Sequence, residues 1–132
     1  MEIKVSVEQG RVPVTVVHPE GNVDSSTYQA FQAQVDKLID GGARYILVDL
    51  THVPFVSSAG LRGFHEIFIR LHSLSPDKND EEMHRGIAAG TYKSPHLRLL
   101  NPSKESAHAL KLAGFDMYIE SFKDFKTAIS SF

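Results

Sequence analysis

The sequence predicts an α/β fold in which helices pack against a mixed, mostly parallel β-sheet. Residues 45–50 form an almost unbroken apolar run, which is typical of a strand buried on both faces of a sheet. Apolar side chains then recur at helical spacing, at Leu61, Phe64, Phe68 and Leu71. Because strand and helix patterns alternate along the chain, we expect mostly parallel strands joined by helical connections.

A β-hairpin is predicted at the start of the chain. Ile3, Val5 and Val7 alternate with polar residues, and residues 12–17 form a second apolar run. Pro13 lies in this second run and has no backbone N–H to donate to a neighbouring strand. We therefore expect the strand that contains Pro13 to lie at an edge of the sheet.

The first helix is predicted between Asp24, as its N-cap, and a stop at Gly41-Gly42. Five apolar residues fall on one face of this helix and are expected to pack on the sheet: Tyr28, Phe31, Val35, Leu38 and Ile39.

Three further elements are expected near the C-terminus: a strand at 97–100, a helix at 103–113 and a last strand at 117–119. Ser121 and Asp124 match the Ser-x-x-Asp pattern that caps a final helix. Its buried face is expected to contain Phe122, Phe125, Ile129 and Phe132.

The chain length is that of one domain with one core, so a single domain over residues 1–132 is predicted. Within it, residues 75–94 are rich in charge and show little periodicity. This segment is longer than the usual connection in a compact domain. We interpret it as a mobile, charged insertion with room for a short helix.

Composition excludes several classes of function. A formal charge of -2 with mixed signs gives no basic patch for nucleic acid. The absence of cysteine excludes disulfides and thiolate metal sites, and no apolar run approaches the roughly 18 residues of a membrane span. The N-terminus lacks a signal-peptide pattern, so we expect a cytoplasmic protein. Together with the charge and the missing apolar run, this predicts a protein that binds neither membrane nor nucleic acid.

The most informative segment is the turn that contains Ser57 and Ser58. It follows the apolar run at 45–50 and precedes the helix that contains Leu61, so one of the two serines is expected to cap the helix. A serine pair before an apolar helix is more often only a cap than a regulatory site. A phosphate at such a helix start would nevertheless meet free backbone N–H groups and the positive end of the helix dipole.

Several short motifs together resemble the STAS domains, and within them the bacterial anti-sigma factor antagonists. Each motif alone is weak, but their order and spacing along one small domain are characteristic. The motifs are Gly21-Asn22-Val23-Asp24, Asp49-Leu50-Thr51, Phe55-Val56-Ser57-Ser58-Ala59-Gly60-Leu61, Leu100-Asn101-Pro102-Ser103 and Gly114-Phe115-Asp116.

The resemblance implies a STAS-like fold and a function in partner switching. The dephosphorylated antagonist captures an anti-sigma factor, usually itself a serine kinase, and so regulates transcription indirectly. Phosphorylation by that kinase releases the antagonist, and a serine phosphatase restores the binding form. The chain would be a substrate without cofactor, metal or catalytic residues of its own.

The same resemblance places the phosphoacceptor at Ser58. Ser57 stands where the family commonly has Asp, which is a departure from the pattern. The partner-binding residues that we predict around Ser58 are Asp24, Val56, Ser57, Gly60, Leu61 and Arg62. Asp24 has two interpretations, as a helix cap or as part of the partner surface.

Two residues near Ser58 receive roles from their chemistry. Arg62 follows Ser58 by four residues, so both side chains lie on one helix face and a charge-assisted pair with a phosphate is possible. Gly60 lacks a Cβ and would allow a backbone to approach the helix start closely.

Two rival functions remain. The first is a STAS interaction module that is never phosphorylated, such as a scaffold or a transporter-associated subunit. The second, less favoured, is a serine hydrolase, although the Gly-x-Ser-x-Gly turn of such enzymes is missing around Ser57 and Ser58. A zinc site at His65-Glu66 is rejected because Ile69 stands where the second histidine is needed.

Overall fold

The computed structural model describes residues 1–76 and 78–132. Strands and helices in this part of the chain follow one another as β1 (Glu2–Gln9), β2 (Pro13–Glu20), α1 (Tyr28–Asp40), β3 (Ile46–Asp49), α2 (Ser58–Ser73), α3 (Asp80–Ala89), β4 (Leu97–Leu100), α4 (Lys104–Leu112), a 3-10 turn (Phe115–Met117), β5 (Ser121–Phe122) and α5 (Phe125–Ser131).

One mixed sheet contains the described strands in the order β1-β2-β3-β4-β5. β1 and β2 form an antiparallel hairpin, whereas the pairs β2–β3, β3–β4 and β4–β5 are parallel. The predicted α/β class with a mixed, mostly parallel sheet is thus confirmed. Since parallel strands end at the same side, the loops after β2, β3 and β4 meet at one edge of the sheet.

The expected edge position of the Pro13 strand is wrong. β2 lies between β1 and β3, and Pro13 is its first residue, opposite Gln9 of β1. The first position of a strand accepts proline, because the ladder continues with the residues that follow it.

Helices cover both faces of the sheet. On one face, the buried side chains of α1 and α2 pack on Val17, Ile46 and Val48 in the larger apolar cluster. On the other face, Ala128 and Ile129 of α5 belong to a smaller cluster with side chains of β2, β3 and β4. The predicted apolar stripe of α1 faces the core: Phe31, Val35 and Ile39 are buried, and Tyr28 and Leu38 are partly buried.

The predicted last strand at 117–119 is wrong. Residues 115–117 form a 3-10 turn, and β5 follows only at Ser121–Phe122, where it pairs with Leu99 and Leu100. Tyr118 and Ile119 are buried, and Tyr118 O accepts from Ser94 N at 2.8 Å, but neither residue joins the β-ladder. The prediction rested on the apolar residues at 117–119, which a buried turn shares with a strand. The true strand, β5, is only two residues long and is too short to show a periodicity in the sequence.

The final helix begins later than predicted. Ser121 lies in β5, and Asp124 alone caps α5 by accepting a hydrogen bond from Thr127 N at 2.9 Å. Phe122 therefore belongs to the sheet, and Phe125 stays exposed at the first turn of the helix. Ile129 is the member of the predicted aromatic and aliphatic face that is buried.

The charged segment 75–94 contains helix α3. Asn79 caps it by accepting from Glu82 N at 2.9 Å, and Gly90 ends it in the left-handed conformation. Met83 is buried, and His72 of α2 bonds Asp80 at 3.0 Å between Nε2 and Oδ1. These contacts attach α3 to the body of the protein. Asp77 of the predicted insertion lies outside the described residues, and the mobility of the segment stays a prediction.

Candidate functional site

The loops after β2 and β3 are joined by backbone hydrogen bonds at the carboxyl edge of the sheet. Val23 and Val56 form an isolated parallel bridge. Val23 N donates to Phe55 O at 3.0 Å, and Ser57 N donates to Val23 O at 2.9 Å. Each loop is therefore positioned by the other, and the start of α2 has a defined place next to the loop that contains Asp24.

Gly60 makes this close approach possible. A Cβ at Gly60 would lie 2.4 Å from Val23 O and 2.9 Å from Cγ1 of Val56, which is shorter than any van der Waals contact allows. The expectation that Gly60 admits a backbone at the helix start is confirmed, and the backbone is that of the chain's own neighbouring loop.

Ser57 is the N-cap of α2. Its backbone is extended, and its Oγ accepts a hydrogen bond from Gly60 N at 3.3 Å. This arrangement satisfies one of the backbone donors that a helix start leaves free. Of the two serines that the sequence offers as caps, the structure selects Ser57.

Ser58 is the first residue of α2 and is exposed. In the part of the chain that the structure describes, its hydroxyl takes part in no hydrogen bond, so it is not committed to the fold. Arg62 is also exposed, one helical turn further along the same face. The two side chains thus share one accessible face, and a contact of Arg62 with a phosphate on Ser58 stays a prediction.

Asp24 is not the side-chain cap of α1 that the sequence predicts. The helix begins at Tyr28 after Thr27, whose side chain makes no capping bond. Asp24 Oδ1 instead accepts from Ser26 N at 2.9 Å and from Ser26 Oγ at 2.7 Å, which folds the loop into a turn. The hydrogen bonds from Ser26, with those from Thr27, hold the pKa of Asp24 below its ordinary value, so a carboxylate stands beside the serine turn.

Three of the predicted partner-binding residues are buried. Val56 is fully buried, Gly60 lies against Val23, and Leu61 is 8% exposed. Because these residues lie beneath the surface of the folded protein, their predicted role as partner contacts is corrected. They belong to the core that positions the turn.

The exposed apolar side chain at this site is Phe55, which the sequence analysis did not single out. It is 43% exposed although it directly precedes the buried Val56. Neighbouring residues of an extended segment point to opposite sides, and the bridge between Val56 and Val23 directs Val56 inward. The sequence indicates that one of Phe55 and Val56 faces solvent, because neighbouring residues of an extended segment alternate. Only the bridge to Val23 decides that it is Phe55.

The loop after β4 supports the serine turn from its other side. Asn101 has a left-handed backbone with φ of 51° and donates from Nδ2 to Thr51 Oγ1 at 3.2 Å. Ser103 caps α4 by accepting from Ser106 N at 3.0 Å and donates from Oγ to Pro54 O at 2.8 Å. The Asn-Pro-Ser motif thus bonds the loop that leads to Phe55.

A chain of polar side chains crosses the hairpin and β3. Ser6 Oγ lies 3.2 Å from His18 Nε2, and His18 Nδ1 lies 2.9 Å from Asp49 Oδ2. Burial raises the pKa of Asp49, but hydrogen bonds from Thr51 and His18 outweigh it and lower the pKa overall. Sequence reasoning assigned His18 no role, since its partners are distant along the chain.

This Ser-His-Asp order does not build a hydrolase site. Ser6 lies within the regular ladder of the hairpin, opposite Val16, where the sharp turn that presents a nucleophile and its oxyanion hole is missing. At Ser57 and Ser58, no hydrogen bond to a histidine or an acid occurs in residues 1–76 and 78–132. We interpret the network as cross-strand support for β1.

The described residues show neither a metal-ligand cluster nor a helix that could span a membrane. No cluster of three or more potential metal ligands is present among them. None of the helices described above combines the length and the apolar surface that crossing a bilayer requires.

The comparisons agree with this architecture. The STAS domain family model matches residues 4–75, more than half of the chain, and the chain belongs to this family. No curated protein sequence matches it.

Solved structures show the same fold at low sequence identity. The Thermotoga maritima protein TM1081 is 16% identical with a TM-score of 0.72, over 96% of this chain and 90% of that one. An anti-sigma factor antagonist from Mycobacterium paratuberculosis is 17% identical with a TM-score of 0.70, over 98% and 93%. The Bacillus cell fate determinant SpoIIAA in its phosphorylated form is 12% identical with a TM-score of 0.61, over 96% of both chains.

Proposed function

We propose that this chain is an anti-sigma factor antagonist that works by phosphorylation-dependent partner switching. The dephosphorylated protein binds an anti-sigma factor with serine kinase activity, and phosphorylation of Ser58 by that kinase ends the complex. A serine phosphatase returns the protein to its binding form. The cycle regulates transcription indirectly, takes place in the cytoplasm, and needs neither a cofactor nor a catalytic residue of this chain.

The observation that carries the proposal is the exposed, uncommitted hydroxyl of Ser58 on a turn held by backbone hydrogen bonds. Ser57 caps the helix and Gly60 packs under Val23, so the fold does not need the Ser58 hydroxyl. A kinase can therefore modify Ser58 without unfolding the domain. Support also comes from the structural likeness to SpoIIAA, which exists in a phosphorylated form.

The partner surface that we propose is centred on Ser58 and Phe55. Phe55 offers an exposed aromatic ring, the kind of side chain that often dominates binding energy at interfaces. Asp24, Ser57 and Arg62 form the polar surroundings, while Val56, Gly60 and Leu61 hold the turn from beneath. This surface has the composition of a binding hot spot, with one aromatic side chain among charged and polar neighbours.

Phosphorylation would oppose binding through charge. A phosphoserine adds about -1.5 to -2 charges near neutral pH. At the start of α2 the backbone N–H groups and the helix dipole accept this charge, and Arg62 can pair with it. A partner that covers the site must instead remove water from the dianion, with the carboxylate of Asp24 close by, and this weakens the complex.

Two measurements test the proposal. An anti-sigma factor kinase encoded in the same genome, with ATP, should phosphorylate the wild type at Ser58 by mass mapping and leave Ser58→Ala unmodified. By calorimetry, Ser58→Ala should bind that partner as the dephosphorylated form does, and Ser58→Asp at least about tenfold more weakly. Ser130→Asp, at an exposed position of helix α5, is the matched control and should bind normally.

Equal binding of Ser58→Ala and Ser58→Asp would contradict the switch. Persistent absence of phosphorylation, with binding retained, would instead favour the interaction module that is never phosphorylated. Thermal melting of Ser58→Asp separates loss of binding from unfolding, because an acidic residue at the first turn of a helix is expected to maintain or raise stability.

A further inference from the structure

The outer edge of the sheet at β1 is long and regular. β1 spans eight residues, pairs with β2 on one side, and is the first strand of the sheet order. It contains neither proline nor glycine. Within the described residues no strand covers its other side, so a row of backbone donors and acceptors faces outward. Such an edge is a template for pairing with a further strand.

An apolar patch accompanies this edge. Val5 is 39% exposed and Val7 is 60% exposed, on the side of the sheet that carries α1. A groove of about 630 Å³ lies between these valines and the C-terminal end of α1, where Leu38 adds apolar surface. A strand added to β1 would cover Val5 and Val7 with its own side chains.

Symmetry restricts how two copies of β1 can meet. A twofold axis perpendicular to the sheet joins the strands antiparallel and keeps each side chain on its own face. Residues with odd numbers then lie opposite odd ones, and residues with even numbers opposite even ones. The possible registers are therefore few, and the charged residues Glu2, Lys4 and Glu8 distinguish between them.

The register centred on Ile3 would place Glu2 opposite Lys4 twice, but it overlaps only residues 1–5. Among the registers that pair most of β1, the one centred on Ser6 is self-complementary. With Ser6 on the twofold axis, Lys4 of each copy lies opposite Glu8 of the other, and Val5 lies opposite Val7. This register gives two pairs of opposite charge and two apolar pairs, both of which stabilise antiparallel sheets. With Val5 on the axis, Glu2 would oppose Glu8 twice, and with Lys4 on the axis two lysines would face each other.

We propose that two copies of this chain associate through β1 in the register centred on Ser6. The two sheets then form one continuous sheet with a twofold axis at its middle. Because the strands at the junction are antiparallel, the two Ser58 turns lie at opposite ends of the joined sheet and stay accessible. The interface is small, which predicts a reversible dimer with a dissociation constant in the micromolar range.

Charge exchange tests the register. Lys4→Glu places Glu opposite Glu8 twice and should weaken the dimer roughly tenfold in sedimentation equilibrium. Glu8→Lys should weaken the dimer to a similar extent, because a lysine then lies opposite Lys4 at both pairs. The double variant Lys4→Glu with Glu8→Lys restores both pairs with their signs exchanged, and should dimerise like the wild type.

Two controls keep the result specific. Lys4 also lies 3.7 Å from Glu20 within its own hairpin, so Glu20→Gln removes that partner and should leave the dimer unchanged. Glu2→Lys changes a charge on the same strand, opposite Gly10 of the other copy, and should have a smaller effect than Lys4→Glu. Circular dichroism of each variant verifies that the domain is folded.

Amide hydrogen exchange identifies the surface. Backbone amides of residues 2–9 should become better protected as the protein concentration rises. A wild type that stays monomeric at all concentrations overturns the proposal and leaves the edge to a strand of another protein. A dimer that is unaffected by Lys4→Glu, or that the double variant does not restore, overturns it as well.

Discussion

The backbone oxygen of Val23 occupies the space that any side chain on Gly60 would need. A Cβ at Gly60 would lie 2.4 Å from Val23 O. The oxygen belongs to the backbone and the Cβ is bonded directly to it, so no side-chain rotation can relieve the contact. The serine turn and the loop after β2 are therefore fitted to each other at a single glycine. Any residue larger than glycine must move the loop or the start of α2.

Gly60→Ala is expected to destabilise the protein by about 1–3 kcal/mol, which is typical of overpacking at a tightly packed site. Gly63→Ala is the matched control in the same helix. Its new Cβ would lie 3.9 Å from Tyr28, an ordinary contact, and alanine favours the helix by up to about 1 kcal/mol. Urea denaturation should separate the two variants, and equal stabilities would show that the loop yields freely.

Ser57 and Ser58 are expected to differ in their contribution to stability. Ser57→Ala removes the bond to Gly60 N and should lower the free energy of unfolding by about 1 kcal/mol. Ser58→Ala removes an exposed hydroxyl and should change it by less than about 0.5 kcal/mol. The same denaturation experiment measures both. A loss in Ser58→Ala as large as that in Ser57→Ala would mean that Ser58 is structural.

The local parts of this site could be predicted from the sequence. A serine cap and the small residue at Gly60 follow from residues that are neighbours along the chain, where turn chemistry and helix spacing act, whereas the choice of Ser57 over Ser58 comes from the structure. The helices and the long strands follow from periodicity in the same way. The Pro13 strand was placed wrongly because its position depends on β3, which joins it from a distant part of the chain.

The remaining features depend on contacts between distant residues. Val56 is buried because it bridges to Val23, and this leaves Phe55 at the surface. His18 bonds Asp49 across neighbouring strands, and β5 exists because two residues pair with β4. Periodicity within a short segment contains no information on such pairings, so the sequence predicted the framework and missed the exposed aromatic side chain.

Phe55→Ala should weaken partner binding without unfolding the domain. Because the ring is 43% exposed, its removal should change stability by less than about 1 kcal/mol, whereas loss of an aromatic hot spot costs about 2 kcal/mol or more in binding. Val56→Ala is the contrasting variant, since its cavity lowers stability by roughly 2 kcal/mol. Calorimetric binding and urea denaturation of both variants check this division. Unchanged binding by Phe55→Ala would remove Phe55 from the interface.

His96 should make the protein less stable in mild acid. Burial lowers the pKa of His96 below its ordinary value of 6.5, and the charges of His72, Arg44 and Arg98 act in the same direction. The hydrogen bond between His96 Nδ1 and Arg44 O, 3.0 Å long, opposes this shift without cancelling it. The folded state therefore binds a proton at His96 less readily than the unfolded chain does.

The sign of the effect follows from proton linkage. As the pH falls through 6.5, the unfolded chain takes up the proton first, so the free energy of unfolding decreases. Well above that pH, His96 is neutral in both states and adds no pH dependence to the free energy of unfolding. His96→Gln should reduce this decrease when urea denaturation is compared at about pH 7.5 and about pH 5.5. His52→Gln, at an exposed position, should retain the wild-type slope. If His96→Gln loses stability in acid as steeply as the wild type, burial of His96 is not the cause.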